Sequence, residues 1–169
     1  MHVVLIVVAV VAAIIIVVVI IGALLPKGHS ASREATFPVS AERLWTVLTT
    51  PADFPAWRSD VKRVEVLPPV NGLPQHREFG SNGAIRFAVV RQVPNRELAT
   101  EIADKNLPFG GGWTFVLTPA GAGSTTLRIT EDGEIYNPVF RFVARFLIGY
   151  HRSLERFLAD LGKRVAANR

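Results

Sequence analysis

The stretch Phe37–Leu67, FPVSAERLWTVLTTPADFPAWRSDVKRVEVL, changes its hydrophobic period twice in 31 residues. Alternation from Arg33 to Val39 reads as a strand. Ser40 then stands where a helix N-cap belongs, ahead of Ala41–Thr49 with apolar Leu44, Trp45, Val47 and Leu48. Thr50-Pro51-Ala52-Asp53 opens a second helix, with Thr as cap, Pro at the first helical position and an acid at the third. It is short and ends near Trp57. Period-two alternation returns at Val61 and runs to Leu67. Strand, two short helices, strand is the opening of an α+β domain.

Downstream the same alternation recurs in segments of strand length: Gln75–Phe79, Ala84–Arg91, Glu97–Ala103, Trp113–Thr118 and Thr125–Glu131. The breaks fall at Pro68-Pro69, Asn71-Gly72, Asn82-Gly83, Pro94-Asn95, Gly110-Gly111-Gly112 and Gly121-Ala122-Gly123. Trp113, Phe115 and Leu117 share one face with Thr114 and Thr118 opposite; Leu127 and Ile129 share another. An antiparallel sheet with one buried face has this pattern. One long helix closes the chain. Asn137 is its expected cap, Pro138 its first residue and Ala166 its end. Val139, Val143, Phe146, Tyr150, Leu154, Phe157, Leu161 and Val165 form an apolar stripe. Arg141, Arg145, Arg152, Arg156 and Lys163 lie within about 60° of one another on the other side. That basic stripe reads either as a solvated face, with pairs such as Arg156–Asp160, or as a surface for anionic headgroups.

Upstream the character differs. Val3 to Leu25 holds 23 residues without charge, proline or polar side chain, 18 of them Val, Ile or Leu. As a helix this is about 34 Å long, enough to cross a hydrocarbon core of about 30 Å. Insertion would be favourable by roughly 5–11 kcal/mol. A cleaved signal peptide is the rival, with a weak cleavage pattern around Gly28–Ser30. It fits less well, because the n-region is only Met1 and His2 and the apolar run is too long. An uncleaved anchor over residues 1–25 is therefore expected, then a linker over 26–32 and a domain over 33–169. Lys27, Arg33 and Arg43 follow the helix and no Lys or Arg precedes it. The positive-inside tendency puts the domain in the cytoplasm, the exported side being the alternative.

The 144 residues after the apolar run suffice for one domain with its own core. They carry all 19 Lys+Arg and 14 Asp+Glu, a net charge of +5. That mild excess suits an anionic membrane surface and does not by itself call for nucleic acid. Cysteine is absent, which excludes disulfides and thiolate chemistry.

The opening stretch resembles the SRPBCC, or START-like, superfamily, in its polyketide cyclase/dehydrase and lipid-transport branch. There a strand leads into S-x-x-x-x-W and a short helix ending in Trp; the matching residues here are Ser40, Trp45 and Trp57. LPFGGGWTFVLTP (107–119) and ITEDGEIYNPVFRFVARFLIGY (129–150) are similar to the same branch. The resemblance covers about Ser32 to Gly162. It implies a helix-grip fold, a curved antiparallel sheet of about seven strands around the C-terminal helix, with an apolar cavity between them and no shared catalytic residue or cofactor. The scaffold hosts carriers, cyclases and regulatory modules alike.

On that reading a hydrophobic ligand would touch Trp57, Phe87, Val89, Ile102, Trp113, Phe115, Ile129, Phe146 and Tyr150; on the plainer one these residues fill a core. Tyr150 stands out, because its hydroxyl on an apolar stripe needs a partner. Gly110–Gly112 lack the flanking Lys and Ser/Thr of a phosphate loop and read as a permissive turn. His2, His29, His76 and His151 show no metal-ligand spacing, so no metal or cofactor is expected. The expected function is a membrane-anchored, non-enzymatic binding domain for a lipid-like or other hydrophobic small molecule. One alternative is a cyclase or dehydratase, with Tyr150, Glu131 and His76 as candidate acid/base groups. A second is a membrane-tethered protein-interaction module.

Overall fold

In the computed structural model, which describes residues 1–81 and 83–167, the first helix α1 runs His2–Leu24. It is long and apolar enough to cross a membrane, and almost all its side chains are exposed. Strand β1 follows over Gly28–Phe37. It begins five residues before Arg33, so most of the expected linker 26–32 is strand. The stretch Gly28–Ser32 has, apart from His29, small side chains and no strong alternation. It is extended because every residue from Gly28 to Phe37 pairs with the last strand.

Ser40 caps helix α2, Ala41–Leu48, its Oγ accepting from the Arg43 N–H at 3.3 Å. A 3-10 turn follows at Pro51–Ala56. Thr50 does not cap it; its hydroxyl donates back to the Thr46 carbonyl at 2.7 Å. Six strands then run without a helix between them: β2 Val61–Val70, β3 Leu73–Gly80, β4 Gly83–Val93, β5 Glu97–Ile102, β6 Phe109–Pro119 and β7 Thr125–Ile135. They form one antiparallel seven-stranded sheet in the order β1-β7-β6-β5-β4-β3-β2. The Asn71-Gly72 break is a tight hairpin, with φ of 52° and 77°. Pro68-Pro69 does not end its strand; the register shifts there between Leu67 and Val70. Of the Asn82-Gly83 break, Asn82 lies outside the described residues, and Gly83 opens β4.

The expected single C-terminal helix is instead three pieces. Asn137 caps α3, Pro138–Val143, with Oδ1 accepting from the Val139 and Phe140 N–H groups. A π turn follows over Ala144–Ile148 and ends at Gly149, φ 79°. Helix α4 is Arg152–Ala167. Only α4 lies on the sheet. Its Leu154, Phe157, Leu158, Leu161 and Val165 join Leu44, Leu48, Phe115, Leu117, Leu127 and Ile129 in the core. Helix α3 packs against α1 instead. The basic stripe is broken with the helix. Arg141 is buried, and Asp160 points to Ser59 and not to Arg156.

Candidate functional site

The break at Gly149 decides what the sheet covers. Helix α4 spans 16 residues, about 24 Å. Its apolar side chains cluster with Leu98, Phe115, Leu117, Leu127 and Ile129 of β5, β6 and β7, while inward residues of β3, β4 and β5 also border open space. The result is a cavity of about 640 Å³. That is the size of a small-molecule site.

Strand register explains which side chains meet there. Phe87 on β4 stands opposite His76 on β3 and Ile102 on β5. Val89 faces Thr100, which faces Trp113, which faces Glu131. All of these line the cavity, together with Ile85, Leu98, Phe109 and Phe115 from the sheet and Phe157 from α4. The far wall is Phe140, Val143, Ala144, Ile148 and Tyr150 from α3 and the turns after it. Ser81, Gly83, Phe140 and Ile148 are exposed as well as lining, and mark where the cavity meets the surface.

Of the nine expected ligand contacts, Phe87, Val89, Ile102, Trp113, Phe115 and Tyr150 line the cavity. The other three lie elsewhere. Ile129 is fully buried in the core, beneath α4. Trp57 packs edge-on against Phe54 and Phe157, at 5.6 and 5.4 Å. Phe146, on the π turn, is 56% exposed and outside the cavity. It left the apolar stripe when the helix broke.

Two polar groups interrupt the apolar lining. In the first, Arg58 holds Asp60 through Nε and NH2 at 3.2 and 2.9 Å, and Glu78 through NH1 at 2.7 Å. The Glu78 carboxylate also meets His76 Nε2 at 3.1 Å. The guanidinium lies over the Phe54 and Phe157 rings. A forked donor matched to two carboxylates can stay this deeply placed, because each charge keeps hydrogen-bonded partners. The second group is His29, Glu131, Tyr150 and Ser153. The His29 ring stacks on Tyr150 at 4.0 Å, and its Nε2 lies 3.5 Å from Glu131 Oε1. Ser153 donates to Glu131 Oε2 at 2.8 Å. His29 Nδ1 is buried without a hydrogen-bond partner. The ring fits because its cross-strand neighbour is Gly133, where a Cβ would run into the imidazole.

Sequence reasoning placed His29 in a linker and gave no role to Arg58, Glu78 or Ser153. The available signal for His29 was small: a glycine in the middle of the last strand, which marks a close approach. Glu131 and His76, named only as candidate acid/base groups, do line the cavity. Chemically the site offers an apolar volume with carboxylate, imidazole and phenol groups at its edges. Such groups orient the polar end of a largely apolar molecule.

The chain belongs to the polyketide cyclase/dehydrase and lipid transport family, whose model matches residues 28–166. Solved structures share its fold. A START superfamily protein from Mycobacterium smegmatis is 23% identical, with a TM-score of 0.70 over 83% of this chain and 99% of that one. An aromatase/cyclase from a Streptomyces species is 13% identical, with a TM-score of 0.66 over 82% and 94%. Norcoclaurine synthase from Thalictrum flavum is 12% identical, with a TM-score of 0.65 over 83% and 96%. At such identities the likeness is one of fold. No curated protein matches the chain.

Proposed function

We propose that this protein is a membrane-anchored, non-enzymatic binding domain for a lipid-like or other apolar small molecule, tethered by α1. The observation that carries the reading is the 640 Å³ cavity between sheet and helix, walled mainly by Ile, Val, Leu and aromatic side chains. Its family, whose description includes lipid transport, supports the ligand class. Six of the nine expected contacts line one volume, which favours them as the ligand contacts, with Tyr150 beside the polar edge. The excess of Lys and Arg after α1 favours a cytoplasmic domain.

Native mass spectrometry of the full chain from mild detergent tests this reading. A bound apolar molecule, recovered by lipid extraction, is expected. A chain that is always empty and takes up no fluorescent fatty acid would overturn it. Protease protection of sealed membranes reads the orientation: a cytoplasmic domain is digested from the cytoplasmic side only.

A second reading, a cyclase or dehydratase on the same scaffold, draws on Glu131 and Tyr150, grouped with His29, and on His76 in the other polar group, all of which line the cavity. The variant E131Q separates the two. A carrier yields the same extracted molecule from wild type and variant. A dehydratase yields from the wild type a molecule lighter by one water than that held by the variant. The protein-interaction reading expects a solid core, and the cavity gives it less support.

A further inference from the structure

Outside α1, the most exposed apolar run among the described residues is the one that frames the cavity. Phe140, Phe146, Leu147 and Ile148 are 53%, 56%, 73% and 54% exposed. A soluble surface seldom keeps four large apolar side chains so close together. Their location is fixed by contacts with α1. Gly22 is the buried residue of that helix, and a Cβ there would collide with the Pro138 carbonyl. Val18 and Leu25 are half-buried, so Val18, Gly22 and Leu25 make one face at helical spacing, and α3 packs on it. Arg141 is buried beside them and donates to the Leu25 carbonyl at 2.7 Å. That places a cation at the C-terminal end of α1, where the helix dipole is negative and the carbonyls lack partners.

Depth follows from these contacts. Leu25 ends the apolar run, and Val18 lies about 10 Å further in. A bilayer that surrounds α1 therefore meets α3 and the π turn at the same level. Exposed Lys27 and Arg152 flank the segment and exposed Arg145 lies within it, where headgroup phosphates would sit. The same segment walls the cavity, through Phe140, Val143, Ala144, Ile148 and Gly149. A π turn and a left-handed Gly149, whose Cβ position has no atom within 4 Å, give this wall a natural point of movement.

We propose that residues 138–149 are a second membrane-embedded element, lying in the interfacial layer beside α1, and that the cavity opens there into the bilayer. The occupant then enters from the lipid phase without crossing water and is a membrane lipid or a molecule dissolved among the lipids. This rests on the anchored-binding reading above and adds the route.

The chain has no cysteine, so single cysteines can carry nitroxide labels in the full-length protein. V11C reports the anchor, L147C the proposed element, and A122C a turn between β6 and β7 at the far end of the sheet. In vesicles of phosphatidylcholine and phosphatidylglycerol, labels at V11C and L147C should relax with oxygen and lose their response to an aqueous nickel complex. The A122C label should do the reverse. If V11C is lipid-exposed and L147C responds to nickel, the proposal fails while the anchor stands. If V11C itself responds to nickel, anchoring fails and the proposal with it. If L147C is shielded from both reagents and cross-links to a second copy, the segment is a dimer interface and the proposal is overturned. Uptake of a fluorescent phosphatidylcholine in detergent is measured separately. Its loss would refute lipid entry while leaving the labelling result intact.

Discussion

The Asp160 carboxylate lies on α4 with Oδ2 accepting from the backbone N–H and the hydroxyl of Ser59, at 2.8 and 2.6 Å. These bonds tie the helix to the chain just before β2. Burial pushes the Asp160 carboxyl up, but the Ser59 hydrogen bonds and the Lys163 charge outweigh it, so its pKa lies below the ordinary 3.8. A depressed folded pKa gives stability that is fully present above the unfolded value and lost as pH falls through the folded one. D160A leaves the Ser59 N–H without its acceptor and should cost about 2–3 kcal/mol at neutral pH. Denaturant titration in micelles checks this. The gap between wild type and variant should narrow at strongly acidic pH, below the folded pKa. A gap that stays constant would mean that packing and not charge holds the contact. This partner was not legible beforehand. Local spacing offers Arg156 four residues away, whereas the real donor is 101 residues distant. Patterns of period and spacing report which face a side chain occupies, and long-range partners depend on register and crossing geometry that they do not contain.

Elements follow the same logic. The seven strands, α2 and the Ser40 and Asn137 caps were legible, because each is written as a local period or a capping residue. The triple glycine reads as a turn in the sequence but is strand in the fold, since glycine signals both a turn and a close approach. In the structure Gly110–Gly112 are inside β6. A Cβ on Gly112 would strike the Thr100 carbonyl of β5, and one on Gly111 the Asp132 carbonyl of β7. G112A should therefore disturb the β5–β6 pairing and cost more than about 2 kcal/mol. G121A is the control. That residue has φ of 97° but open space around it, so only backbone strain of about 1–2 kcal/mol is expected. Equal shifts in their denaturation midpoints would mean that close strand approach is not what Gly112 serves. The helix break was hidden for a related reason. Val139, Val143, Phe146 and Tyr150 continue the helical period across Gly149, and period alone does not tell whether a stripe faces the sheet or another helix.

At the scale of the molecule, the apolar helix and the domain are joined by more than the short link over residues 25–27. Pro138 lies on Gly22, and Arg141 reaches the Leu25 carbonyl. Removing residues 1–25 would leave the sheet, α2 and α4 intact, because no core residue of the domain comes from α1. It would also strip the cover from α3, adding that face to the already exposed Phe146 and Leu147. The enlarged patch should drive self-association in water. The truncated chain is thus expected to keep its far-UV circular dichroism and yet elute as oligomers, with light scattering reading the mass. Adding F146S and L147E, at residues that belong to neither the core nor the cavity lining, should shift it toward monomer. A truncated chain that is monomeric without those changes would mean that α3 does not need α1 to cover it, and α1 would then be only a tether.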